Sequence, residues 1–311
     1  MTTNGPDMPV IPSEEGKSLS VSMPEEFSWD ETLHYLTRSP AECLHQVEGR
    51  TVYKLLEFQG EPGLVRLQEQ GQGALELTFG EGAPRPSWPL SQAVSYIREW
   101  LDGDTDLRPF YRMAENDGLL GPLTRRYRGL RIIGAPDLFE ALCWAVTGQQ
   151  INLPFAYMLK RRLVESFGRS LEAGGRRHWL FPQPEELADV PAEALKALQF
   201  TGRKAEYLLG IARLMADGEL SKEGLLALGF AEAERRLLAI RGIGAWTAHY
   251  AMMRCFRHPA AFPIGDAGLH NALKQQLGLD RKPTEEEIRR IFSPWSGWEA
   301  YAVFYLWRSL T

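Results

Sequence analysis

The chain is predicted to be an α+β protein: a small N-terminal antiparallel-sheet lobe with one packed helix, then a mostly α-helical region built around a tight helix-hairpin-helix. Three observations predict this. Apolar and polar residues alternate with strand periodicity up to Phe79, as in Leu75, Leu77 and Phe79 against Glu76 and Thr78. Past Asp102-Gly103-Asp104 that alternation gives way to helical patterns. Within the helical part, the glycine turn Arg241-Gly242-Ile243-Gly244 sits between two segments of good helix formers.

Taken in order, Met1 to about Ser22 is polar, proline-bearing and aperiodic, and is expected to be a disordered tail. Residues 23–105 form the lobe. Strands are expected over Val52 to Phe58, Leu64 to Leu67 and Leu75 to Phe79, separated by glycine turns. Ser91 is expected to cap a helix in which Val94, Ile97 and Leu101 share a face. His34 and His45 read as structural residues.

Residues 106–311 form the helical region. A helix is expected over Leu107 to Leu120, closed by a Gly121-Pro122 turn and followed by a basic run, Arg125 to Arg131, that reads as a solvated face. Asp137 is expected to cap a helix ending at Gly148. The short polar turn Gly148-Gln149-Gln150-Ile151-Asn152 then leads to Pro154 and another helix. Arg169 to Trp179 reads as a glycine- and arginine-rich loop, and Thr201-Gly202-Arg203-Lys204 as a turn into a helix. Thr284, with Glu287 three residues on, is expected to open a helix to Phe292, and a final apolar helix runs through Trp307.

The hairpin carries the functional signal. Two glycines leave backbone amides uncovered at the start of the helix from Ala245, where orphan donors and the helix dipole favour a phosphate. Beyond that helix, Phe262-Pro263-Ile264-Gly265-Asp266 breaks the chain, and a new helix carries Leu269, Leu273 and Leu277 at helical spacing. Asp266 is thereby fixed by rigid elements on both sides. An aspartate there is, on its own terms, a helix cap.

Composition sets bounds. With 311 residues, 44% hydrophobic and 24% charged, the chain can bury two or three cores. No apolar run approaches a membrane span and no signal pattern opens the chain, so a cytoplasmic protein is expected. Cys43, Cys143 and Cys255 are too scattered for a disulfide framework or metal cluster and read as buried filler. The net charge of −5 is unusual for a nucleic-acid binder, though hairpin amides can grip phosphates without lysines.

Leu237-x-x-Ile240-x-Gly242-Ile243-Gly244-x-Trp246-Thr247-Ala248, followed by Phe262-Pro263-x-x-Asp266, resembles the helix-hairpin-helix DNA glycosylases, and within them the AlkA type, 3-methyladenine DNA glycosylase II. The resemblance covers roughly Asp106 to Trp307. It implies two helical lobes with an active-site cleft between them and Asp266 as the essential acid. It further implies a base pocket lined by Trp246, Tyr250 and Trp298, and DNA contacts by Gln149, Gln150, Ile151, Gly242, Gly244 and Thr247. In the family the residue after Gly-Gln fills the hole left by an extruded nucleotide, and here it is Gln150, an amide, with Ile151 the other candidate. The family also holds a monovalent sodium or potassium ion on hairpin carbonyls, here those of Leu238, Ile240 and Ile243. Some members carry a four-cysteine iron-sulfur cluster, for which this chain lacks the cysteines.

Excising a base breaks a C–N bond through a sugar cation, which a nearby carboxylate stabilises. The base must first leave the stack, and the resemblance implies excision of alkylated purines of the 3-methyladenine and 7-methylguanine type. Such purines are cationic, and an aromatic face attracts a cation by about 0.5 to 2 kcal/mol. Lyase relatives place a lysine where this chain has Trp246, so a monofunctional, monomeric enzyme acting on damaged double-stranded DNA is implied, at the nucleoid when at work. Three rivals stand beside this reading: a glycosylase for oxidised or deaminated bases, a non-catalytic hairpin DNA-binding module, and a helical protein in which Asp266 is only a cap.

Overall fold

The computed structural model describes residues 11–12, 18–71 and 73–311. The lobe's sheet, among the described residues, comprises β1 (Ile11–Pro12), β2 (Ser18–Ser22), β3 (Gln46–Glu48), β4 (Thr51–Phe58), β5 (Glu61–Glu69) and β6 (Ala74–Phe79). All pairings are antiparallel, in the order β1-β2-β6-β5-β4-β3. Register obeys the alternation: Leu19 faces Leu77, Val21 faces Leu75 and Val52 faces Leu67. The inward side chains pack beneath the helix Ser91–Trp100, whose Val94, Ile97 and Trp100 are buried in the same core.

Four expectations for the chain up to Arg126 are corrected. The tail does not extend to Ser22, because Ser18–Ser22 pairs along β6 and buries Val21; residues 1–10 and 13–17 lie outside the described residues. A helix, Trp29–Leu36, interrupts the strand region: Ser28 caps it by accepting the Glu31 amide at 3.2 Å, and Trp29, Thr32, Leu33 and Leu36 are buried at helical spacing. Ser91 is not a cap but the first helical residue, after Leu90, which makes no side-chain cap bond. The expected Leu107–Leu120 helix is two, Arg108–Ala114 and Leu120–Arg126, so Gly121 and Pro122 lie inside the second. Between them Asp117 Oδ1 accepts the amides of Leu119 and Leu120 at 2.8 and 2.7 Å.

Two more corrections lie further along the chain. Residues 169–179 are not a loop but chiefly a hairpin, β7 (Ser170–Ala173) against β8 (Arg176–Trp179), turning at Gly174 and Gly175 with φ of +59° and +74°. The basic run is only partly a solvated face. Arg128 lies 4.8 Å from the Tyr111 ring, while Arg131 is 1% exposed. Arg131 donates to the carbonyls of Asp102 and Thr105 at 2.5 and 2.9 Å, with its guanidinium 3.6 Å from the Asp102 carboxylate.

That pair welds the lobe to the helices. Asp102 is fully buried at φ +56° and also accepts from Thr105 Oγ1 at 2.5 Å and Tyr301 Oη at 2.7 Å. Burial pushes its carboxyl above the usual range, and Arg131 works against that push. The helical core beneath runs continuously from Leu107 to Leu306. All three cysteines are buried, as expected of filler. No helix among the described residues is long and apolar enough to cross a membrane.

Candidate active site

The hairpin helices are Phe230–Leu238 and Ala245–Arg254. Gly242, between them, has φ +94°, and a Cβ there would stand 2.2 Å from the Tyr207 ring, so only glycine lets the turn close on that ring. Gly244 differs: a Cβ there would meet nothing within 4 Å, and the residue is the exposed N-cap of the second helix with no side-chain cap. The first amides of that helix therefore face outward without an intrahelical acceptor.

His249 fastens the hairpin to the loop beyond it. Its Nδ1 accepts the Phe262 amide at 2.9 Å, so Nε2 carries the proton and donates to Glu234 on the first hairpin helix, also at 2.9 Å. One imidazole thus joins both hairpin helices and the loop that delivers Asp266.

Asp266 is indeed a cap, Oδ1 accepting the Leu269 amide at 2.8 Å. It is also gripped by two indoles: Trp307 Nε1 donates to Oδ1 at 2.8 Å and Trp246 Nε1 to Oδ2 at 3.1 Å. Oδ1 therefore has both lone pairs engaged, while Oδ2 keeps one for an incoming group. The carboxyl is half-buried beside exposed Gly265. A Cβ on Gly268 would lie 2.9 Å from Oδ1 and 3.2 Å from Trp307 Nε1, so the grip needs a glycine there.

Aromatic rings surround this acid. Trp246 and Tyr250 share one helix face with centroids 5.3 Å apart, and Tyr250 lies 6.1 Å from Trp307. The Tyr250 hydroxyl accepts from Trp144 Nε1 and from Arg254, each at 2.7 Å. Trp298 stands elsewhere: its ring neighbours are Phe110 at 5.7 Å and Tyr301 at 5.5 Å, and Trp307 takes the place beside Tyr250. Sequence reasoning misses Trp144, Trp307 and His249. Aromatics on apolar helices look alike until the long-range bond is seen, and no spacing rule marks the indole that reaches a carboxylate.

The polar turn lies against the hairpin. Gln149 donates to Gly242 O at 3.0 Å and to Thr247 Oγ1 at 2.9 Å, and a Cβ on Gly148 would be 3.9 Å from Trp246. Gln149 and Thr247 are thus braces. Gln150 is the exposed tip, with φ +54°, and half-buried Ile151 packs on the helical core. Asn152 then caps the next helix through the Phe155 amide at 2.9 Å. Lys204 is buried, its amine donating to Thr147 O at 2.7 Å.

At the hairpin carbonyls, Ile240 O accepts the Ile243 amide at 3.0 Å and keeps one lone pair. Leu238, Ile240 and Ile243 offer neutral oxygens, a hard donor set that suits an alkali cation.

Residues 143–297 match the family described as HhH-GPD superfamily base excision DNA repair protein, and residues 18–137 match the AlkA N-terminal domain. The chain is 46% identical over 291 residues to the DNA-3-methyladenine glycosylase of Bacillus subtilis (strain 168), covering 93% of this chain and 96% of the relative. It is 31% identical over 192 residues to DNA-3-methyladenine glycosylase 2 of Escherichia coli (strain K12), covering 61% and 64%. The solved 3-methyladenine DNA-glycosylase from Archaeoglobus fulgidus superposes with a TM-score of 0.78 over 93% of this chain and 97% of that one, at 22% identity, a likeness of fold.

Proposed function

The chain belongs to the HhH-GPD superfamily of base excision DNA repair proteins, and from that premise we propose that it is a DNA glycosylase excising alkylated purines, with Asp266 as its acid. The observation that carries the reading is the double indole grip on Asp266, which leaves one lone pair on Oδ2 beside the rings of Trp246 and Tyr250.

In this reading the damaged nucleotide of a DNA duplex leaves the stack and its base lies against aromatic faces. A purine methylated at N3 or N7 is cationic, which strengthens that contact and weakens its bond to the sugar. As the C–N bond breaks, positive charge grows on the sugar, and the fixed Asp266 carboxylate stabilises it without reorganising. The free Oδ2 lone pair orients water for attack at C1′, and an abasic site remains.

The reading makes the enzyme monofunctional, because Trp246 offers no amine and the Lys204 amine is engaged by a backbone carbonyl. Gln150, the exposed tip of its turn, fills the gap in the duplex, while the amides after Gly244 hold a backbone phosphate. The carbonyls of Leu238, Ile240 and Ile243 would hold a sodium or potassium ion, adding positive charge toward that phosphate.

The test compares the native chain with Asp266→Asn on methylated duplex DNA, measuring released bases and alkali-labile sites. We expect at least a hundredfold loss, the scale of removing one positioned electrostatic group, about 2.7 kcal/mol or more. Base release by the variant at the parental rate removes the mechanism.

A further inference from the structure

The second hairpin helix grips the arm that delivers Asp266 at both ends. Trp246 donates to the Asp266 carboxyl at 3.1 Å, and His249, one turn along the same helix, accepts the Phe262 amide at 2.9 Å. Between these ends the arm is braced within itself. Phe262 O accepts the Ile264 amide at 2.8 Å, Pro263 O accepts the Asp266 amide at 3.0 Å, and Ile264 O accepts from His270 Nε2 at 3.0 Å. The Phe262 ring stacks on Phe292 with centroids 4.5 Å apart. A shift of the Phe262 amide is therefore passed along the arm to the carboxyl.

The bond at Phe262 depends on a lone pair. A backbone N–H only donates, so Nδ1 accepts, and the one proton of a neutral imidazole sits on Nε2, where Glu234 takes it at 2.9 Å. A second proton has to enter at Nδ1, donor against donor, and the Phe262 amide then loses its acceptor.

The groups that face His249 pull on that second proton in both directions. Glu234 on the first hairpin helix and Glu299 on the final helix favour an imidazolium, and His258 in the following loop opposes one. Burial raises the Glu299 carboxyl while the charge of His249 draws it down; burial lowers His258, and His249 adds to that. The Phe230 ring, 5.9 Å away, brings no charge.

We propose that His249 is a positioning residue for Asp266, and that only its neutral form, with the proton on Nε2, holds the arm. Protonation of Nδ1 releases the Phe262 amide and slackens the arm, and the carboxyl loses its aim, so excision slows as pH falls. The proposal rests on the reading of Asp266 as the acid and places a proton-controlled support behind it.

Two variants divide the imidazole. His249→Asn sets an amide oxygen where Nδ1 stands, keeping the Phe262 bond and giving up Glu234, and it does not titrate. His249→Gln reaches to the Nε2 position, keeping Glu234 and giving up Phe262. Single-turnover base release from methylated duplex is followed from about pH 5 to about pH 8, the span in which a histidine ordinarily changes charge. At about pH 8 His249→Gln should be about tenfold slower than His249→Asn, the worth of one hydrogen bond, with duplex Kd values within about threefold of each other. The native chain should slow on the acid side, and His249→Asn should lack that limb. Equal rates for the two variants, an acid limb retained in His249→Asn, or a loss confined to duplex binding overturns the proposal.

NMR of the ring nitrogens in the native chain gives a readout without substrate or substitution. His249 should show the Nε2–H tautomer, and the Phe262 amide should titrate with the same midpoint as the ring; an Nδ1–H tautomer overturns the proposal even if neither variant folds. Activity surviving in Asp266→Asn would remove the reading on which the proposal rests. An unchanged pH profile in His249→Asn, with Asp266→Asn inactive, would remove this proposal alone.

Discussion

Trp307 donates its indole N–H to Asp266 Oδ1 across 2.8 Å from 41 residues further along the chain. The final helix, buried at Tyr301 and Tyr305, thus ends as part of the site. Trp307→Phe keeps the ring and deletes the donor. Because the Leu269 amide still holds Oδ1, the fold should survive while the carboxylate loses its aim. We expect the single-turnover excision rate to fall about tenfold to a hundredfold, the worth of one charge-assisted bond, with Tm within a few degrees of the parent. A rate equal to the parent's would reduce Trp307 to packing.

The two hairpin glycines should fail differently. Gly242→Ala forces a Cβ to 2.2 Å from the Tyr207 ring at φ +94°, and should cost several kcal/mol, on the order of 3, in denaturant unfolding. Gly244→Ala meets nothing within 4 Å and should leave stability within about 0.5 kcal/mol of the parent while weakening duplex binding. Equal stability losses at both positions would contradict the assignment of Gly244 to the outward face.

Adjacent glutamines should also separate. Gln149→Ala removes two bonds to the hairpin and should cost about 1 to 3 kcal/mol of stability. Gln150→Ala touches no internal partner and should leave stability unchanged, with its effect confined to excision from duplex DNA. Identical thermal shifts for the two variants would show that the tip is braced as well.

Acid should loosen the seam between the lobe and the helices. Burial alone would raise the Glu42 carboxyl, but Lys160, His45 and the backbone amides of Cys43 and Leu44 outweigh it and hold the group well below the ordinary range. A depressed carboxyl contributes stability that is present above its unfolded value of about 4.3 and is lost as pH falls through the lower folded value. Glu42→Gln should therefore be less stable by about 3 kcal/mol at pH 7, with the gap narrowing below about pH 4. A gap that stays constant with pH would mean that the ion pair contributes no linkage.

Much of the fold and the site is legible in the residues. The glycine elbow, the chain break and Asp266 are local features, and a cap is signalled by the first residues of its own helix, so Asp137, Thr284 and Asp266 can be placed from sequence. Trp246 and Tyr250 stand out because helical spacing puts them on one face. The hidden part is long-range. Nothing near Trp298 says that it packs on Phe110, and nothing near Trp307 says that it reaches Asp266. Gln149 and Gln150 are the same residue twice, and only the backbone, turning to φ +54° at Gln150, makes one a brace and the other a tip. Arg131 closes a basic run that looks solvated because charge in sequence does not reveal burial.

Asp102-Gly103-Asp104 has the composition of a flexible joint, yet Asp102 is locked to Arg131, Thr105 and Tyr301. That joint is a rivet rather than a hinge, so the lobe and the helices meet the double helix as one fixed surface, and a duplex already softened by mispairing or a nearby lesion should yield its base to it faster than a stiff one.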